Sequence, residues 1–233
     1  MADPVVRMSN CRLHEVQSLP VREQVIFSRR WNSPTRLACK RVMDIIGSAI
    51  LLVLLAPLMA VLATLVKATS RGPVFYHWRV VGKDGKPFLG YKFRSMVANA
   101  EQLKVTLAER NEMTGPVFKL ARDPRLTPLG AWMRRYSLDE LPQFYSVLKG
   151  DMSLVGPRPP LVTEYAEFSE FQKQKLAVKP GITCLWQVSG RNRISDFDEW
   201  VRLDLQYIRN WSLPLDLKIL MKTVREVLAG SGR

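Results

Sequence analysis

The run Ile45–Val66, IIGSAILLVLLAPLMAVLATLV, holds 22 residues without a single charge. No other stretch limits the fold as strongly. As a helix it would reach about 33 Å, enough to cross a hydrocarbon core of about 30 Å. A helix packed inside a soluble core is rarely apolar on every face for so long, so the run reads as inserted in a membrane. It starts 44 residues into the chain, after many charges and without a small-residue cleavage site. It therefore does not read as a signal peptide.

Two features argue against a simple crossing. Arg36, Lys40 and Arg41 precede the run, and Lys67 and Arg71 follow it, whereas a spanning helix concentrates its excess of Lys and Arg on the cytoplasmic side. Pro57 also falls near the middle, where it removes a backbone N–H and clashes with the preceding turn. A break at Ala56-Pro57 leaves two halves, Ile45–Ala56 and Leu58–Val66, each too short to span. The expectation is a re-entrant helix that bends at Pro57 and returns to the face it came from. A kinked spanning helix is the alternative, since proline is tolerated in membrane helices.

The remaining chain reads as α+β, mainly helical. Val74–Val81 and Phe88–Phe93 look like two strands of a small β-hairpin, joined by GKDGK with Asp84-Gly85 at the positive-φ positions. Ser95–Arg110 reads as a helix and Asn111–Pro128, with three prolines, as a loop. Helices follow at about 129–135, 138–149, 161–178, 196–209 and 216–228. Leu161, Tyr165, Phe168, Gln172 and Leu176 share one helix face; Leu217, Leu220, Met221, Val224, Val227 and Leu228 share another. Such stripes face a core or lie in the membrane interface.

Charge narrows the partners. There are 35 Lys and Arg against 21 Asp and Glu, a formal net charge of +14. That balance suits nucleic acid, anionic lipid or an anionic substrate. No helix-turn-helix, RNP or zinc-finger pattern is present, so lipid and anionic substrate lead. The three cysteines, Cys11, Cys39 and Cys184, are odd in number and scattered, and His14 and His77 are the only histidines. A zinc site or disulfide framework is not expected, which fits a reducing cytoplasm.

Against this basic background the segment SLDELPQFYSVLKGDMSLVGPRPP opens with Asp139-Glu140. Ser137-x-x-Glu140 matches a capping box, which explains Ser137 and Glu140 but not Asp139. Asp139 falls at the start of the expected helix, where free N–H groups keep a carboxylate ionised and also bind phosphate. Arg134 and Arg135 precede it, and Arg158 can return towards it through GPRPP. A carboxylate among phosphate-binding groups can attack phosphorus, and a neighbouring Glu140 can ligate Mg²⁺. Asp204 lies in the middle of the apolar stripe Phe197, Trp200, Val201, Tyr207, Ile208 and Trp211. A buried carboxylate needs a partner: a structural bridge to an arginine and a cleft carboxylate are both open. Lys92 alternates with Tyr91 and Phe93 on a strand, on a solvated face or towards a site. Arg191 in SGRNR is a surface-loop residue or a phosphate ligand.

Taken together, the apolar segment with its central proline, YKFRSM, SLDELPQF, LKGDMSLVGPRPP, KPGIT, WQVSGRN and LDLQYI…LDLKIL resemble, in order, the bacterial sugar transferase family of monotopic phosphoglycosyl transferases. The resemblance covers the chain from about Lys40 onward. It implies transfer of a sugar-1-phosphate from a UDP-sugar to polyprenyl (undecaprenyl) phosphate, with release of UMP, at the cytoplasmic face of a bacterial inner membrane rich in anionic lipid. By resemblance Asp139 is the nucleophile of a covalent phosphosugar intermediate and Glu140 a Mg²⁺ ligand; Lys92, Arg158, Arg191 and Asp204 match active-site positions, and Ala56-Pro57 the helix break. It implies an extension at 1–39, a membrane-inserted helix at 40–70 and a cytoplasmic catalytic domain at 71–233, with amphipathic interfacial helices around one catalytic core. Only about 39 residues precede that core, which suggests a minimal catalytic unit. A homo-oligomer is compatible with this, nucleic acid is not expected, and WQVSGRN points towards members that start exopolysaccharides with galactose or glucose. The competing reading is a basic, membrane-anchored scaffold or regulator without catalysis, which would tolerate loss of Asp139.

Overall fold

Ser33-Pro34 starts the apolar helix. The Ser33 hydroxyl accepts the Arg36 N–H at 3.4 Å, and Pro34 occupies the first turn, where its missing N–H leaves nothing unpaired. The resulting helix α1 (Pro34–Thr69) is 36 residues long. In this computed structural model, which describes residues 29–190 and 193–232, α1 stays helical through Pro57. The expected break at Ala56-Pro57 is thus not an interruption of the helix. One proline removes a single N–H from the ladder. Unwinding the turn would expose several more backbone groups in the most apolar part of the chain.

Both ends of α1 are held by the same body. Lys40, Asp44 and Ser48 are buried at four-residue spacing near its start, and Leu62 and Val66 near its end. Lys40 Nζ lies 2.7 Å from Asp216 Oδ2 and donates to the Val155 carbonyl at 3.0 Å. The Asp44 carboxylate accepts the Ser153 hydroxyl and the Leu154 N–H, both at 2.9 Å. At the other end Arg94 donates to the carbonyls of Ser70 and Arg71 at 2.7 and 2.8 Å. Leu62 and Val66 form a cluster with Phe93 and Met133. Between these anchors Ile50, Val53, Leu54 and Val61 are exposed.

Strands β1 (Phe75–Val81) and β2 (Pro87–Phe93) form the expected antiparallel hairpin, in register from Phe75↔Phe93 to Val81↔Pro87. Its turn places Asp84 at φ 57° and Gly85 at φ 75°. The helix expected over 95–110 is shorter. Met96 bridges to Leu126, and the Ser95 carbonyl accepts the Thr127 N–H, so this segment is drawn into extended pairing before α2 (Ala100–Thr106) begins. Helix α3 (Pro128–Arg135) is capped by Thr127, and α4 (Gln143–Lys149) ends on Gly150 at φ 102°.

A second, parallel pair escaped the sequence reading: β3 (Ser153–Val155) with β4 (Gly181–Thr183). Between them the helix expected at 161–178 divides into α5 (Val162–Ala166), α6 (Glu170–Lys173) and a 3₁₀ turn at Gln174–Ala177. Ser169 and Gln172 exchange side-chain and backbone hydrogen bonds as a capping box, which restarts the helix where one stripe was expected. Helices α7 (Phe197–Asn210) and α8 (Leu213–Leu228) close the fold, α8 starting early because Ser212 caps it and Pro214 fits its first turn. The α7 stripe is buried in the main core with Val155, Trp186 and Ile219. The α8 stripe is not: Leu217, Met221, Val224 and Leu228 are exposed.

Candidate active site

The site forms where β2, the turn before α4 and the GPRPP segment converge on one cavity of about 460 Å³, within the usual range for small-molecule sites. Lys92, Arg134, Asp139, Glu140 and Arg158 all line it. On β2, Phe93 packs into the cluster with α1 and borders the cleft, which Lys92 also lines. Lys92 Nζ lies 2.7 Å from Glu140 Oε1 and 4.1 Å from the centre of the Trp78 ring. Trp78 can lie there because its strand partner is Gly90; a Cβ at that position would collide with the indole.

The carboxylate turn differs from the one anticipated. Ser137 does not cap; it sits in the left-handed region at φ 54°, and Leu138–Glu140 form a 3₁₀ turn ahead of α4. The capping-box pattern loses to tertiary charge, because Lys92 takes the Glu140 carboxylate. Asp139 is therefore not at the N-terminus of an α-helix, and no helix dipole accounts for its state. Its side chain is buried, with Arg134 Nε 3.8 Å from Oδ2. Arg134 is itself fixed by donating to the Ser95 hydroxyl at 3.1 Å. Burial pushes the Asp139 carboxyl above the ordinary carboxylate range, and the Glu140 charge adds to this; Lys92 and Arg134 oppose it.

Arg158 reaches the cleft as expected but does not pair with Asp139. Its guanidinium donates to Glu164 Oε2 at 3.3 Å and lies 6.0 Å from the Trp200 ring centre. Glu164 also accepts the Leu161 N–H at 2.8 Å, so it joins the start of α5 to the cleft arginine. The sequence reading missed Glu164; its place three residues after the end of GPRPPL was the available signal.

Asp204 is fully buried, and its partner is a lysine rather than an arginine. Lys175 Nζ lies 2.6 Å from Asp204 Oδ2, with both side chains sealed from solvent. The contact is an ion pair at close range. Burial raises the Asp204 carboxyl, and Lys175 and then Arg158 pull it back. Asp204 does not line the cleft; it lies behind it, near Arg158. Arg191 lies outside the described residues.

The sequence profile described as Bacterial sugar transferase matches residues 35–230. The chain belongs to this family. Galactosyl transferase CpsE of Streptococcus agalactiae is 49% identical over 208 residues, covering 89% of this chain and 46% of that protein. Undecaprenyl-phosphate galactose phosphotransferase of Salmonella typhimurium is 44% identical over 197 residues, covering 83% and 41%. Exopolysaccharide production protein ExoY of Rhizobium meliloti is 39% identical over 197 residues, covering 83% and 87%. The chain thus spans less than half the length of the first two relatives and most of the third.

For this bacterial sugar transferase family member, the environment of Asp139 fixes the sign of a pH effect. On the nucleophilic role proposed below for Asp139, attack on phosphorus would need the ionised carboxylate, and burial, with the Glu140 charge, would place the acid limb of activity above the ordinary 3.8. Arg134 favours the ionised form, so Arg134→Gln should move the limb to still higher pH on its residual activity. The check is the rate of UMP release against pH for both proteins. An acid limb at the ordinary carboxylate position, unmoved in the variant, would contradict the assignment.

Proposed function

We propose that this chain transfers a sugar-1-phosphate from a UDP-sugar to a polyprenyl phosphate, releasing UMP, through a covalent intermediate on Asp139. The observation that carries the reading is the buried Asp139 carboxylate facing a cleft of small-molecule size, with Arg134 beside it and Lys92 and Arg158 around it. In the first half-reaction an Asp139 oxygen attacks the phosphorus that bears the sugar. The bond from that phosphorus to the oxygen bridging the two phosphates breaks, and UMP departs with the electron pair. In the second, an oxygen of the acceptor phosphate attacks the same phosphorus, the bond to Asp139 breaks, and the carboxylate is regenerated. An ionised acceptor phosphate needs no general base, which favours a nucleophilic role for Asp139. Lys92, Arg134 and Arg158 would orient the phosphates and offset their charge.

The residues also fit Mg²⁺. Asp139 and Glu140 are adjacent hard-oxygen donors on one cleft; burial and then the Glu140 charge raise the Asp139 carboxyl, and a cation would offset the second of these. Among the described residues no group of three or more His, Cys, Asp or Glu side chains could hold a metal, so phosphate oxygens would complete the shell around Glu140. When bound, the ion supplies Lewis-acid neutralisation of phosphate charge.

The donor to test first is UDP-galactose, since two relatives carry galactose or galactosyl in their names. Membranes containing the protein, given labelled UDP-galactose and Mg²⁺, should form organic-soluble label together with UMP. Absence of both with UDP-galactose, UDP-glucose and UDP-N-acetylhexosamines would overturn the reading in favour of a non-catalytic anchor.

The same reading puts both ends of α1 on the cytoplasmic face of the inner membrane. It is supported by the anchors at Lys40–Ser48 and Leu62–Arg71, which grip one body. The part between them, Ala49 to Val61, is about 20 Å of helix, short of the ~30 Å needed to cross. Cysteines placed at Arg36 and Arg71 should both be protected from an impermeant thiol reagent in intact cells. Labelling of one site alone would establish a spanning helix.

A further inference from the structure

Beside the cleft lies a second cavity, of about 130 Å³. Its lining is mainly apolar and includes Leu138, Leu141, Phe144, Ile182, Val188 and Val227. Three placements give it a meaning. Ser137 and Glu140, which flank the buried Asp139, line both this recess and the cleft. Leu138 and Leu141 also pack against the cluster built on Leu62 and Val66 of α1, so the wall of the recess is continuous with the apolar helix. Its opposite wall, Thr223 and Val227, belongs to α8, whose outer face exposes Leu217, Met221, Val224 and Leu228. That face repeats at helical spacing beside Lys218, Lys222 and Arg225, the pattern of a helix lying on an anionic membrane surface.

We infer that this recess holds the phosphate-proximal isoprene unit of the lipid acceptor, an inference that rests on the transferase reading above. An apolar cavity of about 150 Å³ accepts a benzene-sized guest, so the recess matches one five-carbon unit rather than a nucleotide. A chain seated there has its apolar portion against Leu138, Leu141 and Val227. Its phosphate is then at Ser137 and Glu140, beside the phosphorylated carboxylate. The remaining chain leaves between α1 and α8 into lipid. The recess thus selects isoprenyl phosphates at the second half-reaction and plays no part in the first.

The test uses the full chain in phospholipid nanodiscs and a farnesyl phosphate carrying a diazirine on its first isoprene unit. Photolabelling followed by peptide mapping should place adducts within 136–144, 182–188 and 223–227. Val227→Trp fills the recess and should remove most of this labelling, whereas Val224→Trp, on the outer face of α8, should keep it. In kinetics, Val227→Trp should raise KM for polyprenyl phosphate about tenfold with little change in kcat, and leave acceptor-free UMP release as in the wild type. Adducts confined to other segments would overturn the assignment, as would unchanged labelling in a folded Val227→Trp protein or loss of acceptor-free UMP release along with acceptor use. Should Val227→Trp fail to fold, the wild-type adduct map decides alone. A wild-type protein labelled at the recess but inert with every UDP-sugar would sink the transferase reading and leave the lipid site standing. An active protein with no adduct at the recess would do the reverse.

Discussion

Asp139→Asn is expected to abolish turnover while leaving the protein at least as stable as the wild type. The amide cannot form the acyl phosphate, so the loss should be on the order of 10⁴-fold or more, as for other covalent nucleophiles. Stability runs the other way. Asp139 is buried and its folded-state pKa lies above the ordinary 3.8, so its contribution favours the fold at low pH and is lost as pH rises through the folded value. At neutral pH the ionised group is a net burden, which asparagine removes. Thermal melts at pH 7 should therefore show the variant melting no lower than the wild type. Asp139→Glu should also fail, by about 10²-fold or more, because a misplacement of about 1 Å is that costly in a positioned nucleophile. The turn cannot shift to compensate: Ser137 is already held at φ 54°, and Leu138 and Leu141 are packed on the α1 cluster. A scaffold reading predicts no such separation of activity from stability.

The second large effect concerns the sealed pair Lys175–Asp204. Removing one partner leaves the other charge buried and uncompensated, which costs about 3–5 kcal/mol. Asp204→Asn should thus lower stability by an amount of that order in urea unfolding. Removing both charges is a different matter, because a buried pair replaced by apolar side chains is often neutral or stabilising. Lys175→Met/Asp204→Leu should accordingly regain most of the lost stability. It should not regain activity if Asp204 positions Arg158 from behind the cleft, because Glu164 would then be the one buried carboxylate left to hold that arginine. The cycle separates the two roles: recovered stability with depressed kcat/KM marks a positioning pair. Recovery of both would make the pair purely structural, and a loss under about 0.5 kcal/mol in Asp204→Asn, the range of ordinary surface changes, would contradict its burial.

What could be read from the sequence was chemistry carried by local pattern. The chargeless run gave α1, Asp84-Gly85 gave the hairpin, and Asp139, Glu140, Lys92, Arg134 and Arg158 do meet in one cleft. What could not be read depended on partners chosen by the tertiary fold. Lys175 reaches Asp204 from another element, and nothing in its own neighbourhood marks it as buried. The parallel strands Ser153–Val155 and Gly181–Thr183 are too short to show a period of two. Ser137-x-x-Glu140 satisfied a capping pattern, yet Lys92 claimed the glutamate and the turn became 3₁₀. The apolar stripe of α8 was legible, but its outward direction was not, because one stripe serves a core and a membrane surface equally.

The central claim is that phosphosugar passes through Asp139, and acceptor-free single turnover tests it most directly. Wild-type protein mixed with UDP-galactose and Mg²⁺, without polyprenyl phosphate, should release about one UMP per active site. Intact-mass analysis of the quenched protein should then show one added hexose phosphate, located on the peptide containing Asp139, that disappears when polyprenyl phosphate is supplied. Release of UMP only when acceptor is present, with no adduct under any quench, would contradict the account and require direct attack by the lipid phosphate.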